Sequence, residues 1–107
     1  GTGNESRDFI FIDDVVKCIH LILNNSQMKG EVYNIASGNE TRIKDIVGKW
    51  FEHLSVKPYV CVNNKIREGD PLNWRADISK IKQLGFGSSV SLEKGIEKIA
   101  NWLKNSL

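Results

Sequence analysis

A chain of 107 residues, 40% hydrophobic and 26% charged, has the size and balance of one ordinary globular domain, which excludes a disordered or low-complexity segment. Its formal net charge of +2 comes from lysines and arginines spread along the chain and interleaved with acids, so no basic stripe for nucleic acid is expected. No apolar run reaches the roughly 18 residues of a membrane span and no signal-peptide pattern opens the chain, so a cytoplasmic protein without a membrane or nucleic-acid partner is expected.

The chain starts "GTGNESRDF", glycine-rich and without Met, as if cut from something longer. Phe9, Ile10, Phe11 and Ile12 follow as a β-branched and aromatic run that predicts a strand, with Asp13 or Asp14 as the cap of a helix. In that helix Val15, Val16, Ile19, Ile22 and Leu23 recur at helical spacing until Asn24-Asn25. "GEVYNIASGNE" reads as a second strand over residues 32–36, closed by the turn formers Ser37, Gly38 and Asn39. Thr41 is placed to cap a second helix whose apolar face is Ile43, Ile46, Val47, Trp50, Phe51 and Leu54. A third strand is expected at Tyr59, Val60, Cys61 and Val62.

The stretch "NNKIREGDPLNWRAD" is rich in turn formers and charge and is long for a connection in so small a domain. Long ordered loops are more often functional than decorative. Asp77 then caps a short helix through Ile78, Ile81 and Leu84, which Gly85 stops. Ser91 caps the last helix, with Leu92, Ile96, Ile99 and Leu103 as its buried stripe. Lys94 stands where a capping box would have Glu or Gln, so the start signal is the serine alone. Alternation of strands and helices predicts an α/β fold: about four helices around a small mixed or partly parallel sheet.

The chemistry-bearing residues have bland readings beside sharp ones. Adjacent carboxylates in an extended segment point to opposite sides, so Asp13 and Asp14 suit a helix start better than an acid–base pair. His20 and His53 lack partner ligands at metal spacing and read as packed or surface histidines. No Gly-x-Ser-x-Gly turn supports a nucleophile. Cys18 and Cys61 lie apart in apolar settings and read as reduced core cysteines. Trp50 and Trp102 fit helical core or interface stripes. Trp74 is open between two roles: stacking on a planar ring or sugar beside Arg67 and Arg75, or pinning the loop to the core. Arg7 and Arg67 could together clamp a diphosphate, although spacing does not bring them together and a solvated arginine is the ordinary case.

Three stretches, "GTGNESRDFIFIDDVV", "GEVYNIASGNETRIKDIV" and "REGDPLNWRADISKIKQLGFGSSVSLEKGIEKIANWLK", resemble in order and separation the C-terminal portion of the extended short-chain dehydrogenase/reductase family. These are NAD-dependent nucleotide-sugar epimerases and dehydratases, with the UDP-glucose 4-epimerase type nearest. The resemblance implies that residues 1–107 are the substrate-binding domain of a Rossmann-type enzyme. By position it makes Arg7 and Arg67 contacts to the substrate diphosphate, sets Asp70 near the nucleotide ribose, and sets Trp74 where the family has a tyrosine close to the sugar. It also implies NAD held by an N-terminal portion, since neither the glycine-rich strand–turn–helix nor a Tyr-x-x-x-Lys pair is present: Tyr33 is followed four places on by Ser37 and Tyr59 by Asn63. No catalytic, cofactor-binding or metal residue is then expected in this chain, which alone is expected to be inactive. The implied partners are a nucleotide sugar and the protein's own Rossmann portion, on which apolar faces of the first and last helices would pack, and the implied assembly is a homodimer. The alternatives are a portion of a dTDP- or GDP-sugar 4,6-dehydratase or reductase, or a free-standing, non-catalytic binding module.

Overall fold

The computed structural model describes residues 1–106, whose elements run β1 (Ser6–Asp8), α1 (Ile12–Asn25), β2 (Glu40–Arg42), α2 (Ile43–Leu54), α3 (Ser79–Gln83) and α4 (Leu92–Ser106). Four helices and a small sheet match the expected α/β class. The sheet itself differs: it is a single antiparallel ladder of β1 and β2, with Ser6 opposite Arg42, Arg7 opposite Thr41 and Asp8 opposite Glu40. The cause is a turn. The Asp8 carboxylate accepts hydrogen bonds from Ser37 N (2.8 Å), Ser37 Oγ (2.6 Å) and Gly38 N (3.0 Å), fixing the 37–39 reversal at the Asp8 end of β1. The chain must then run back along β1 toward Ser6. Gly38 adopts φ +79, and a Cβ there would lie 2.7 Å from Ile78 Cδ1, so the turn needs glycine on two counts.

The expected strands at 9–12, 32–36 and 59–62 do not pair among the described residues. β-propensity reports how well a side chain suits a half-buried pleated surface, and a strand still needs an edge to bond to. Ile12 is already the first residue of α1.

Three of the expected caps are corrected as well. Phe11 occupies the N-cap of α1 and Arg42 that of α2, neither making a side-chain cap bond. Asp13 and Asp14 lie in the first turn of α1, where they still face the positive helix end. Thr41 is committed to the ladder. Ile78 occupies the N-cap of α3, again without a side-chain cap bond, and Asp77 stands one residue ahead of it with its carboxylate accepting from Ser79 N at 2.9 Å. The Ser91 cap holds: its Oγ accepts from Lys94 N at 3.2 Å.

The core is small. Cys18 from α1, Ala36, Ile78, Ile81 and Phe86 are buried together, with Ile10, Leu21, Ile22 and Leu84 packed around them. Burial pushes the Cys18 thiol up, which keeps it protonated and inert. Cys61, by contrast, is exposed, which corrects its reading as a core cysteine: its segment pairs with no strand among the described residues. A second contact joins α4 to the residues ahead of α1. Gly95 is buried against Phe11, and a Cβ there would fall 2.9 Å from the ring.

The radius of gyration is 16.5 Å and the extents are 50 × 39 × 18 Å, a slab rather than the ball of about 13 Å typical for 100 residues. Such a shape leaves helix faces bare. Ile12, Val16, Ile19 and Leu23 form one exposed stripe along α1, while Ile99 and Trp102 of α4 are also exposed. Trp50 is half-buried and lines an apolar cleft of about 410 Å³ with Ile46, Ile96 and Ile99.

Candidate binding site

Arg7, Arg67 and Asp70 line one cleft of about 670 Å³, together with Gly1, Gly3, Glu5 and Leu72. The local fold that converges them is β1 itself, whose three residues each bind the 70–76 loop. Ser6 N donates to Leu72 O at 2.8 Å. Arg7 Nη1 donates to Pro71 O at 3.0 Å and Nη2 to Asp70 Oδ1 at 2.7 Å, while Asp8 Oδ2 accepts from Ala76 N at 3.3 Å. Successive strand residues face opposite sides, so one three-residue strand holds both ends of the loop. Ser6 Oγ also bonds Glu40, tying the strand's other side to β2.

Guanidinium carries five N–H donors, and Arg7 spends three of them on Ser6 O, Pro71 O and Asp70. The Nε–H and one Nη2–H meet no protein acceptor among the described residues. Arg7 and Asp70 are both partly exposed, so the pair is worth at most about 1 kcal/mol to the fold. Its larger effect is orientation. Arg67 is exposed, and its backbone carbonyl accepts from Asp70 N at 3.1 Å to close the turn that presents its side chain. A fork of donors and a second, exposed guanidinium lining the same cleft have the chemistry that suits an anion with adjacent phosphoryl groups.

Trp74 stands apart from that cleft. Its ring centroid is 5.7 Å from Arg7 Cζ, and it lines a smaller hollow of about 310 Å³ with Arg7, Asp8, Ile35, Ala36 and Ala76. Of the two readings left open for it, pinning the loop to the core is the weaker, because 58% of the residue is exposed.

Sequence reasoning missed the partners of three carboxylates, two of which, Asp8 and Glu5, hold segments of this site. Asp8 anchors the 37–38 turn and Ala76, 29 and 68 positions away. Asp14, wholly buried, accepts from Ser88 Oγ, Ser89 N, Ser89 Oγ and Val90 N at 2.7–3.0 Å. Neither has a local signature, since the partners lie far along the chain. Glu5 has one that could have been read: it follows two flexible glycines. Its carboxylate accepts from Thr2 N, Thr2 Oγ1 and Gly3 N, with both amide bonds at 2.8 Å.

Those amide bonds, led by Thr2 N, hold the Glu5 carboxyl down from 4.5 to about 2. A depressed folded value means the turn is fully held above about 4.5 and is released as pH falls toward about 2. We expect the Thr2 and Gly3 amide resonances to titrate with a midpoint near 2 in an NMR pH series, whereas a midpoint near 4.5 would show a free carboxylate.

The same bonds test the fit of a dinucleotide. A phosphate-cradling glycine loop offers its amides to the ligand and opens a helix, but here the amides are taken by Glu5 and the chain continues into β1. Residues 1–3 do not fit NAD. Among the described residues no three His, Cys, Asp or Glu side chains cluster as a metal site, and no helix is long and apolar enough to cross a membrane. His53 pairs with Glu93 at 2.6 Å and His20 is exposed.

The family model described as GDP-mannose 4,6 dehydratase matches residues 1–99. The dTDP-L-rhamnose 4-epimerase of Burkholderia thailandensis is 33% identical over 106 residues, a match that covers 98% of this chain and 29% of that protein. A Thermotoga maritima UDP-glucose 4-epimerase solved with UDP-glucose superposes with a TM-score of 0.84 at 28% identity, over 99% of this chain and 34% of that one. A Bacillus cereus UDP-glucuronic acid 4-epimerase solved with NAD gives a TM-score of 0.78 at 28% identity, over 98% and 32%. The chain thus spans about a third of the length of the relatives it matches.

Proposed function

The chain belongs to the NAD-dependent nucleotide-sugar epimerases and dehydratases of the extended short-chain dehydrogenase/reductase family, and from that premise we propose that it is the nucleotide-sugar-binding portion of a UDP-sugar epimerase. The observation that carries the proposal is the single cleft onto which Arg7, Arg67 and Asp70 converge, although about sixty residues separate Arg7 from the other two. In this reading Arg7 and Arg67 grip the diphosphate and Asp70 lies beside the ribose. Grip on the nucleotide, remote from the reacting carbon, orients the hexose and lends binding energy to the chemical step.

The residues that hold the nicotinamide and move the proton belong, in this reading, to the rest of the protein. The apolar stripe Ile12, Val16, Ile19 and Leu23 on α1 and the exposed Ile99 and Trp102 on α4 are the surfaces on which that Rossmann portion packs. Exposed apolar stripes of this length on helices mark contact faces.

A dehydratase or reductase acting on a dTDP- or GDP-sugar is the second reading, favoured by the GDP-mannose dehydratase family model. A thermal-shift panel of UDP-, dTDP- and GDP-sugars on the full-length protein separates the two. UDP-glucose is expected to give the largest rise in Tm, about 2–4 °C for each 1 kcal/mol of binding in a protein of 150–250 residues and less in a larger one. A larger rise with a dTDP- or GDP-sugar would transfer the assignment to that nucleotide, and no rise with any would remove the nucleotide-sugar reading.

A further inference from the structure

Trp74 is the one aromatic of the 67–76 loop, and the backbone is anchored on both sides of it. On one side of it Pro71 O and Asp70 are held by Arg7 and Leu72 O by Ser6 N, and on the other Ala76 N is held by the Asp8 carboxylate. Two such anchors fix the stretch of backbone that carries the ring. The ring lies beside Arg7, 5.7 Å from centroid to Cζ, within the roughly 6 Å at which a guanidinium and an indole attract. Arg7 lines both hollows, whereas Trp74 lines only the smaller one and is not among the residues of the cleft shared by Arg7, Arg67 and Asp70.

We propose that Trp74 is a positioning residue, whose indole backs the Arg7 guanidinium so that its free Nε–H and Nη2–H stay aimed at the diphosphate, and that it acts on binding through Arg7 and not through the sugar. The proposal rests on the nucleotide-sugar reading of the cleft. The physical logic is that arginine loses rotamer freedom when it binds an anion, and a side chain already stacked and bonded in place has less left to lose. Substituting Trp74 therefore weakens whatever Arg7 holds, whether or not a sugar is attached.

The test compares UDP with UDP-glucose by calorimetry on the full-length protein and its Trp74→Leu and Trp74→Tyr variants, with melting temperatures confirming the fold. Trp74→Leu is expected to weaken UDP and UDP-glucose alike, by about threefold to fivefold, the scale of an exposed cation–π contact. Trp74→Tyr, which keeps a π face, is expected to stay within about twofold. In an Arg7→Ala background Trp74→Leu is expected to have no further effect. Loss confined to UDP-glucose would put the indole against the sugar and overturn the proposal. A tyrosine variant as weak as the leucine variant, or equal losses with and without Arg7, would overturn it too. Failure of UDP to bind the unsubstituted protein would remove the reading of the cleft itself, and the proposal with it.

Discussion

Asp14→Ala is expected to cost about 3 kcal/mol of stability, the largest loss of any single substitution of a polar residue in this chain, read as a lowered urea midpoint. The residue is wholly buried, and its two oxygens satisfy four donors from Ser88, Ser89 and Val90 as well as Lys17 at 3.2 Å. Alanine leaves the backbone amides of Ser89 and Val90 without acceptors, and unmet donors cost more than the bonds were worth. Burial alone would raise the carboxyl, but the hydrogen bonds from Ser89 and Val90, with Lys17, outweigh it and hold it well below the usual carboxylate range. With the folded value depressed, this contribution is complete above the unfolded value of about 4 and drains away as pH falls through strongly acid conditions. Asp14→Asn should accordingly flatten the acid limb of the stability profile as well as lower its plateau. A stability within about 0.5 kcal/mol of the unsubstituted protein would show that the 88–90 loop holds itself.

What could be read from the sequence follows the range of the interactions involved. The four helices were legible because helical periodicity is local: Ile43, Ile46, Trp50 and Leu54 mark α2 without reference to anything else, and the observed Ile43–Leu54 agrees. The strands were not, because pairing is a property of two segments. Phe9 to Phe11 has the composition of a strand and makes no ladder, whereas the polar Glu40–Arg42 does, since the Asp8-held turn delivers it to β1. Asp14 shows the same limit in a single side chain. Its place at a helix start was visible, but its partners sit 74 to 76 residues on. For the site, guanidinium chemistry suggested that Arg7 and Arg67 could clamp a diphosphate together, but their spacing in the chain could not show that they converge. In the structure both line one cleft: β1 carries Arg7 and is the strip to which the 70–76 loop is fastened, and Arg67 opens the turn that leads into that loop.

Arg67→Ala is expected to weaken nucleotide-sugar binding to the full-length protein by about 2 kcal/mol, close to thirtyfold in Kd, on the scale of a lost charge-assisted contact to phosphate. Arg67 is the cleaner of the two arginines to test. Arg7 also secures Asp70 and Pro71, so its removal would mix binding with loop order. The Arg67 side chain is exposed, and the bond through which Arg67 closes its turn uses the backbone carbonyl, which alanine keeps. Stability should therefore stay within about 0.5 kcal/mol while affinity falls. Arg67→Lys separates charge from shape: an ammonium keeps the point charge but not the planar fork, so it should restore part of the loss and leave a steeper dependence on salt. An unchanged Kd for Arg67→Ala by calorimetry would take Arg67 out of the clamp and leave Arg7 as the sole phosphate contact in this chain. An equal loss for Lys and Ala would instead show that the bidentate geometry, and not the charge, is what the diphosphate requires.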